Sequence, residues 1–273
     1  MLRLGRPRAT IQRMADDRDE IDVAAWTRLL EFYLEMPRGG PGDPDSMHRG
    51  VAFMSGLPSK PRVLDLGCGP GTTSRDLAGL TGGFVVACDL QAPFVAVQLQ
   101  AARSAGLSDA VSGVCGDMSI APFGARQFDL VWSEGALYSI GFPNGLSACA
   151  DLVRPGGYLA ASEAVWTVPD PPAEVRDWWA AEYPAISGID TKVAEVAEAG
   201  FAIVGHFTLP ASSWDEHYYR PMLARIAALR VTWARDDVGL RVLDQLEVEA
   251  SMFQRFGHTY GYEFIVGRRS RRM

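Results

Sequence analysis

The fold is decided by the stretch Val63-Leu64-Asp65-Leu66-Gly67-Cys68-Gly69-Pro70-Gly71. This pattern predicts a short buried strand that breaks into a glycine turn and then into a helix. Glycine at alternate positions lets the backbone pass close to a ligand that a residue with a Cβ would exclude. We therefore expect a nucleotide-like ligand to bind at this turn.

The spacing of the turn argues against a dinucleotide site. A dinucleotide fingerprint, G-x-G-x-x-G, needs a third glycine at the position that Thr72 occupies here. Asp65 also places a carboxylate at the strand end, where it would repel a pyrophosphate and attract an ammonium group. A nicotinamide-dependent oxidoreductase is therefore the less favoured interpretation.

Further apolar runs follow the glycine turn in the order expected of alternating strands and helices. The first, 84–89, ends in Asp89 roughly 20 residues beyond the turn, where a carboxylate accepts ribose hydroxyls. Three more runs span residues 111–116, 128–134 and 152–159. The runs end at the carboxyl edge of a predicted parallel sheet, which is where open α/β sheets bind ligands.

In order and spacing these segments resemble the class I S-adenosylmethionine (SAM)-dependent methyltransferases. The resemblance implies an α/β fold with a Rossmann-like sheet of seven mostly parallel strands and helices on both faces. It also implies SAM as cofactor and S-adenosyl-L-homocysteine as product, with Asp117 and Met118 at the adenine. The cofactor-binding residues so predicted are Asp65, Gly67, Cys68, Gly69, Gly71, Asp89, Leu90, Asp117, Met118, Ser133 and Glu134.

The segment before the glycine turn predicts a helical cap. Residues 21–36 repeat large apolar side chains at helical spacing, and the glycine-rich run at 38–42 ends that helix. We expect the helix to pack over the cofactor site with Tyr33 in contact with substrate, although most such stripes only bury against the core. Asp45 is predicted to cap a second helix over 46–56.

The second half of the chain predicts a helical insertion. About fifty residues separate the predicted sixth strand, 201–209, from the seventh, 260–266. Helical periodicity at 222–231 and 242–256 indicates a cap over about 211–256, between those strands. It begins with a dense mixture of aromatic and titratable side chains, and loops on rigid sheets commonly carry substrate contacts.

These patterns divide the chain into a leader and one domain. We expect a disordered leader at 1–20 and a single methyltransferase domain at 21–273. Within the domain we expect cap helices at 21–60 and the SAM-binding core at 61–167. The C-terminal half, 168–273, carries the insertion.

The chemistry implied by the resemblance asks little of catalytic side chains. A sulfonium already activates the methyl group, so the protein must align the acceptor and exclude water. The candidate bases or orienting groups are Glu134, His217 and Glu163, each of which has a purely hydrogen-bonding alternative. The candidate substrate contacts, an apolar or cation-binding wall, are Tyr33, Tyr138, Trp166, Trp214, Tyr218 and Tyr219. These aromatic residues could instead be plain core.

Composition limits the partners. The chain has 273 residues and a net charge of −7, so a broad basic surface for nucleic acid is not expected. No stretch approaches the ~20 consecutive apolar residues that span a membrane. The four cysteines lack metal-ligand spacing, so we predict no metal site. We expect a cytoplasmic protein with a small-molecule substrate and no nucleic-acid or membrane partner, and we leave a homodimer open.

The favoured function is methyl transfer from SAM to a small, partly apolar or aromatic acceptor. Three features are similar to those of a UbiE/COQ5-like group of bacterial small-molecule methyltransferases. They are the glycine-rich turn behind the first helix, the run Trp132-Ser133-Glu134-Gly135 with Tyr138, and Leu209-Pro210 followed by Trp214 and Tyr218-Tyr219. Oxygen, nitrogen, carbon and sulfur all remain open as the accepting atom. The alternative is a SAM-binding regulatory module that transfers no methyl group.

Overall fold

The computed structural model describes residues 23–270, and the leader expected at 1–20 lies outside that range. The strands are β1 (Arg62–Leu66), β2 (Phe84–Asp89), β3 (Val111–Cys115), β4 (Phe128–Glu134), β5 (Val153–Trp166), β6 (Ser187–Gly188), β7 (Phe201–Thr208) and β8 (Tyr260–Arg269). The α-helices are α1 (Val23–Leu34), α2 (Pro44–Ala52), α3 (Thr73–Thr81), α4 (Ala92–Ser104), α5 (Phe142–Leu152), α6 (Ala173–Glu182), α7 (Ile189–Glu198), α8 (Ala211–Trp214), α9 (Arg220–Thr232) and α10 (Asp237–Phe256). Residues 23–270 also contain two 3₁₀ turns, Met118–Ile120 and Leu137–Ile140, and one π-helical turn, Asp215–Tyr219.

The strands form one sheet in the order β3-β2-β1-β4-β5-β8-β7, with β6 beside the end of β5. Strands β1 to β5 pair in parallel, whereas β8 runs antiparallel to both β5 and β7. The strand order reverses between β1 and β4. In open α/β sheets the crevice at such a reversal, outside the carboxyl ends of the strands, is the usual ligand site.

The predicted Rossmann-like class is confirmed, with one difference in strand count. Ser187 and Gly188 pair with Val165 and Trp166 and so form the short strand β6, which the sequence analysis did not include. The strand predicted as the sixth is therefore β7. A strand of two residues carries no periodicity, so no pattern in the sequence could indicate it.

The predicted cap of the second helix was wrong by two residues. Asp43, not Asp45, is the N-cap of α2, and its side chain accepts a hydrogen bond from Ser46 N at 2.7 Å. Pro44 is the reason, since its fixed φ suits the first helical position and starts the helix there. The helix ends at Ala52 rather than at residue 56.

The two faces of the sheet bury different elements. Alternate side chains of β4 point to opposite faces, so Trp132 joins a core with α1, α2 and the insertion, while Val131 joins a core with α5 and α7. Helices occupy 211–256, between β7 and β8. The first face therefore carries both the N-terminal helices and the insertion. Within residues 23–270, none of the helices combines the length and apolar character that a membrane crossing requires.

Candidate active site

A cavity of about 250 Å³ opens at the carboxyl ends of β1, β2 and β4. Its floor comes from the glycine turn, from residues 88–91, from residues 116–118 and from residues 134–136. Side chains of α1 and the segment 38–41 lie over it. The cavity therefore occupies the crevice that the strand order predicts.

The glycine turn is fixed to β2 and leaves room for a ligand. The backbone N–H groups of Gly67 and Cys68 both donate to the Cys88 carbonyl, at 2.8 and 3.0 Å. Gly69 has a φ of +55°, and a Cβ added to it would meet nothing within 4 Å. The space above Gly69 is therefore open to a ligand that approaches the backbone.

Gly71, which was predicted to bind the cofactor, has a structural role in the glycine turn. It does not line the cavity; with a φ of +101°, a Cβ there would overlap the carbonyl oxygen of Pro37. The backbone of Arg38 forms an antiparallel bridge to Gly71 at the same place. Gly71 thus lets the segment after α1 lie across the glycine turn.

Asp89 holds the turn and faces the cavity. Its Oδ2 accepts a hydrogen bond from Gly69 N at 2.9 Å, and its Oδ1 accepts one from Gln91 N at 2.8 Å. Burial raises the pKa of this carboxyl, and those backbone hydrogen bonds partly offset the effect. Each carboxylate oxygen has a second lone pair, so Asp89 can also accept hydrogen bonds from a bound diol.

Asp65 is the most deeply buried acid of the cavity wall, with 2 % of its surface exposed. Ser74 Oγ donates to its Oδ2 at 2.6 Å. Burial raises the pKa of Asp65 to about 7, and the negative charge of Glu134 adds to the effect. A cation bound beside Asp65 would favour the charged form of this group.

Asp117 and Met118 line the far end of the cavity. Asp117 Oδ1 accepts hydrogen bonds from Ser119 N at 2.8 Å and from Ser119 Oγ at 2.7 Å. This Asx turn starts the 3₁₀ turn that presents Met118. Leu90 lines the same region of the cavity.

Arg38 and Glu134 form an ion pair in the cavity wall. Arg38 Nη2 lies 2.6 Å from Glu134 Oε2, and the two side chains are only 10 % and 11 % exposed. Trp132 Nε1 donates to the other oxygen, Oε1, at 2.8 Å. Because both oxygens of Glu134 are already engaged, this geometry suits an orienting role better than that of a free base. A Cβ at Gly42 would overlap the pair, which explains a glycine there.

Arg38 is the functional candidate that the sequence analysis missed. It appears in the sequence only as part of a helix stop, and nothing in the sequence pairs residue 38 with residue 134. Buried arginines in proteins are paired, so an unmatched carboxylate at the end of β4 was the available signal. The pairing itself depends on how the segment after α1 crosses the glycine turn.

The cavity brings together most of the predicted cofactor residues and two of the predicted substrate contacts. The predicted residues that line it are Tyr33, Asp65, Gly67, Cys68, Gly69, Asp89, Leu90, Asp117, Met118, Glu134 and Tyr138. Ser133 does not line it: its hydroxyl donates to the Leu66 carbonyl at 2.8 Å and ties β4 to β1.

His217 lies outside the cavity, on the π-helical turn, and approaches Asp43. Burial raises the pKa of Asp43, but hydrogen bonds from Ser213 and Ser46, with a smaller contribution from His217, lower it overall. Asp43 thereby joins α2 to the start of the insertion. Glu134 lines the cavity and His217 does not.

Four predicted substrate contacts lie in a packed group of rings that we call the aromatic cluster. Its members are Trp166, Trp178, Trp179, Trp214, Tyr218, Tyr219, Phe253, Tyr260 and Tyr262. Trp214 stacks on Phe253 with ring centroids 5.0 Å apart and meets Tyr262 at 4.8 Å. A Cβ on Gly135, which lines the cavity, would lie 2.8 Å from the Tyr262 ring. The cluster therefore borders the cavity without lining it.

Glu163 faces the opposite side of the sheet and does not line the cavity. Burial raises its pKa to about 8, although the nearby Lys192 ammonium partly offsets the effect. Lys192 is itself buried, 3.2 Å from Glu195 and over the ring of Tyr183. Tyr183 in turn contacts the ring of Tyr138 in the cavity wall.

In the described part of the chain, no group of three or more His, Cys, Asp or Glu side chains could hold a metal ion.

Comparison with known proteins identifies the segment that carries this site. Residues 63–157, from β1 into β5, match the family model of a methyltransferase domain. A solved SAM-dependent methyltransferase from Thiobacillus denitrificans, in complex with S-adenosyl-L-homocysteine, superposes with a TM-score of 0.74 at 18% identity. The match covers 86% of this chain and 95% of that one. The fold is that of SAM-dependent methyltransferases, as the sequence predicted.

Curated relatives match over part of their length. A malonyl-[acyl-carrier protein] O-methyltransferase of Enterobacter lignolyticus is 35% identical over 133 residues, which is 48% of this chain and 49% of the relative. Sterol methyltransferase-like 2 of Botryococcus braunii is 29% identical over 127 residues, 46% of this chain and 33% of the relative. The chain thus spans about half or less of the length of these two relatives.

Proposed function

We propose that this chain, which carries a methyltransferase domain at 63–157 and has the fold of SAM-dependent methyltransferases, transfers a methyl group from SAM to a small, partly apolar acceptor. The observation that carries the proposal is the cavity at the glycine turn. It joins one acid from the end of β1, one from the end of β2 and one that follows β3. Three such groups at adjacent strand ends suit a ligand with an amino acid, a ribose and a base.

The residues of the cavity fit SAM. Asp89 would accept the ribose hydroxyls, and the open space above Gly69 admits the ligand against the backbone. Asp117 would accept from the adenine amine while Met118 packs on the ring. When bound, SAM supplies a methyl group already activated by a sulfonium.

The ion pair would hold the amino acid end of the cofactor. Its guanidinium and carboxylate can face the α-carboxylate and α-ammonium of a methionine moiety, with Asp65 next to the ammonium. The pair is already in place before the ligand arrives, because Trp132 and the bridge to Gly71 fix its two members. Such preorganisation lowers the cost of binding.

The cover of the cavity supports an acceptor with apolar surface. Trp26, Leu29, Leu30 and Tyr33 of α1 line the cavity from above, and Tyr138 lines it from the 3₁₀ turn that follows β4. These side chains would align the acceptor and exclude water, which is what methyl transfer asks of the protein. The likeness to the UbiE/COQ5-like group also supports a small molecule.

The relatives support the cofactor more than the acceptor. One is named for a sterol and one for a malonyl group on a carrier protein, so their names give two different acceptors. Composition alone leads us to propose a cytoplasmic enzyme as well.

The first test separates cofactor binding from transfer. Calorimetry should detect S-adenosyl-L-homocysteine binding to the wild type and to the matched control Asp109→Asn, and at least tenfold weaker binding to Asp89→Asn. Isotopically labelled methyl from SAM is then offered to an extract of the source organism. Label in small organic molecules is the expected result.

Other outcomes decide against parts of the proposal. Label confined to precipitated protein or nucleic acid would rule out the small-molecule acceptor. Tight cofactor binding without any transfer would favour a SAM-binding regulatory module. Failure of the wild type to bind the cofactor would overturn the proposal as a whole.

A further inference from the structure

A line of hydroxyl groups runs from the cavity into the insertion. Tyr33, on α1, lines the cavity, and its hydroxyl lies 3.0 Å from the hydroxyl of Tyr218. Tyr218 in turn donates to Glu249 Oε1, on α10, at 3.5 Å. Three elements that are distant in sequence therefore converge on one chain of hydrogen bonds.

The line leads from the buried interior toward solvent. Tyr33 is 6 % exposed and Tyr218 is fully buried, whereas Glu249 is partly exposed. A phenol hydroxyl can accept one hydrogen bond while it donates another, so each tyrosine can receive a proton as it passes one on. The distance of 3.5 Å is long for such a bond, but hydrogen bonds of this kind often tighten when substrate binds.

The backbone is built to place this pair. Asp215–Tyr219 is a π-helical turn, a rare conformation found frequently at functional sites. It buries the consecutive residues Tyr218 and Tyr219 together and brings both hydroxyls to Glu249 Oε1, the second at 3.2 Å.

We propose that Tyr33, Tyr218 and Glu249 form a proton relay that serves a hydroxyl acceptor in the cavity. The inference rests on the proposed function and narrows it to the methylation of an alcohol, enol or phenol. Tyr33 is the residue that touches the acceptor, while Tyr218 and Glu249 act through it. We do not assign this part to Glu134, because it is paired with Arg38 and hydrogen-bonded to Trp132, and the proposed function places it beside the amino acid end of the cofactor.

The step balances as follows in atoms and charge. The acceptor oxygen forms a bond to the methyl carbon as the bond between that carbon and sulfur breaks, and the electron pair of that bond stays on sulfur. The acceptor proton passes to the Tyr33 oxygen, the Tyr33 proton to Tyr218 and the Tyr218 proton to the Glu249 carboxylate. Glu249 then releases the proton to water. Tyr219 and Tyr260 also face this carboxylate, and its charge adds to the effect of burial in raising the pKa of Tyr260.

Two probe acceptors separate a relay from a structural network. Phenol is mostly protonated at about pH 8, whereas thiophenol is largely ionised there and has no proton to lose. We expect Tyr33→Phe, Tyr218→Phe and Glu249→Gln to lower kcat for phenol by about 100-fold, the order of a positioned base, with KM nearly unchanged. Transfer to thiophenol should fall less than about twofold.

The matched control is Glu247→Gln, two residues earlier on α10, whose carboxylate binds Arg230 instead. It should behave as wild type with both probes. Calorimetric titration of phenol into each variant loaded with S-adenosyl-L-homocysteine should give an unchanged Kd, a readout that does not depend on turnover.

The remaining outcomes each decide the question. An equal loss with phenol and thiophenol, or a weakened Kd for phenol, would make the network structural and overturn the relay. If the wild type binds the cofactor and methylates thiophenol but not phenol, the inference of a hydroxyl acceptor is wrong. The proposed function would still hold in that case. Absence of cofactor binding would instead defeat the proposed function itself.

Discussion

The floor of the cavity and the aromatic cluster meet at Gly135 and Tyr262, yet they are built on different principles. The floor consists of short strand-end segments that are fixed by backbone hydrogen bonds and carboxylates. The cluster consists of rings from β5, α6, the insertion and β8, which meet only after the chain has folded. We infer that the cofactor side depends on local geometry and the acceptor side on long-range packing.

The largest effect should follow from a methyl group on the floor. Gly71→Ala places a Cβ against the Pro37 carbonyl at a φ that alanine rarely adopts. We expect the free energy of unfolding to fall by at least about 3 kcal/mol, measured by urea denaturation. The control is Gly79→Ala, inside α3 with nothing near the new Cβ, which should be neutral or stabilising. Equal effects of the two changes would show that the close approach of Pro37 to Gly71 does not limit stability.

A smaller loss of stability should follow when one partner of the ion pair between Arg38 and Glu134 is replaced. Glu134→Gln leaves a nearly buried guanidinium without its charge partner, and we expect a loss of about 2 kcal/mol in unfolding free energy. The double variant with Arg38→Met should lose less than either single change, because no charge is then left alone. A double variant whose loss equals the sum of the single losses would show that the two side chains act independently.

The pH dependence of cofactor binding should sharpen the comparison further. Burial raises the pKa of Asp65 to about 7, so its stabilising contribution to folding is present below its ordinary pKa and is lost as pH rises through about 7. Affinity for the ammonium of S-adenosyl-L-homocysteine should change in the opposite sense, with a gain of up to about tenfold between pH 6 and 8. Calorimetry at several pH values should show this pH dependence of affinity in the wild type and its absence in Asp65→Asn. A profile that survives this substitution would assign the titration to another group.

The smallest effect is expected in the aromatic cluster. Trp214→Phe keeps an aromatic ring against Phe253 and Tyr262, so we expect a change below about 1 kcal/mol in unfolding free energy and no change in cofactor affinity. Trp214→Ala, in contrast, should cost about 3 kcal/mol through the space it opens. A loss of cofactor binding in Trp214→Phe would show that the cluster and the floor are one unit.

The sequence predicted the floor because its rules are local. Asp89 and Gly69 belong to one strand–helix–strand unit in which spacing predicts position, and the structure joins them at 2.9 Å. The start of α2 was predicted too late because Pro44 at a first helical position was overlooked. The preference of proline for the first helical position is a sequence rule that would have avoided this error.

The rest of the site depends on contacts that no spacing rule contains. The predicted contacts Trp214 and Tyr219 are as aromatic and as buried as Tyr33, and Trp166 is partly buried, but all three pack into the aromatic cluster and away from the cavity. Arg38 became a site residue only through the crossing of its segment over Gly71. Both outcomes are decided by tertiary structure.

The π-helical turn at Asp215–Tyr219 also makes the insertion tolerant of a change in length. A π turn holds about one residue more than an α turn, so the deletion of a single residue would restore regular helix and leave the orientation of the following helix nearly unchanged. The sheet, the glycine turn and the cofactor residues would keep their places. The loss of one codon could therefore alter the side chains that this turn presents beside Tyr33 while α9 stays packed, which is a short evolutionary route to a new acceptor on an unchanged cofactor site.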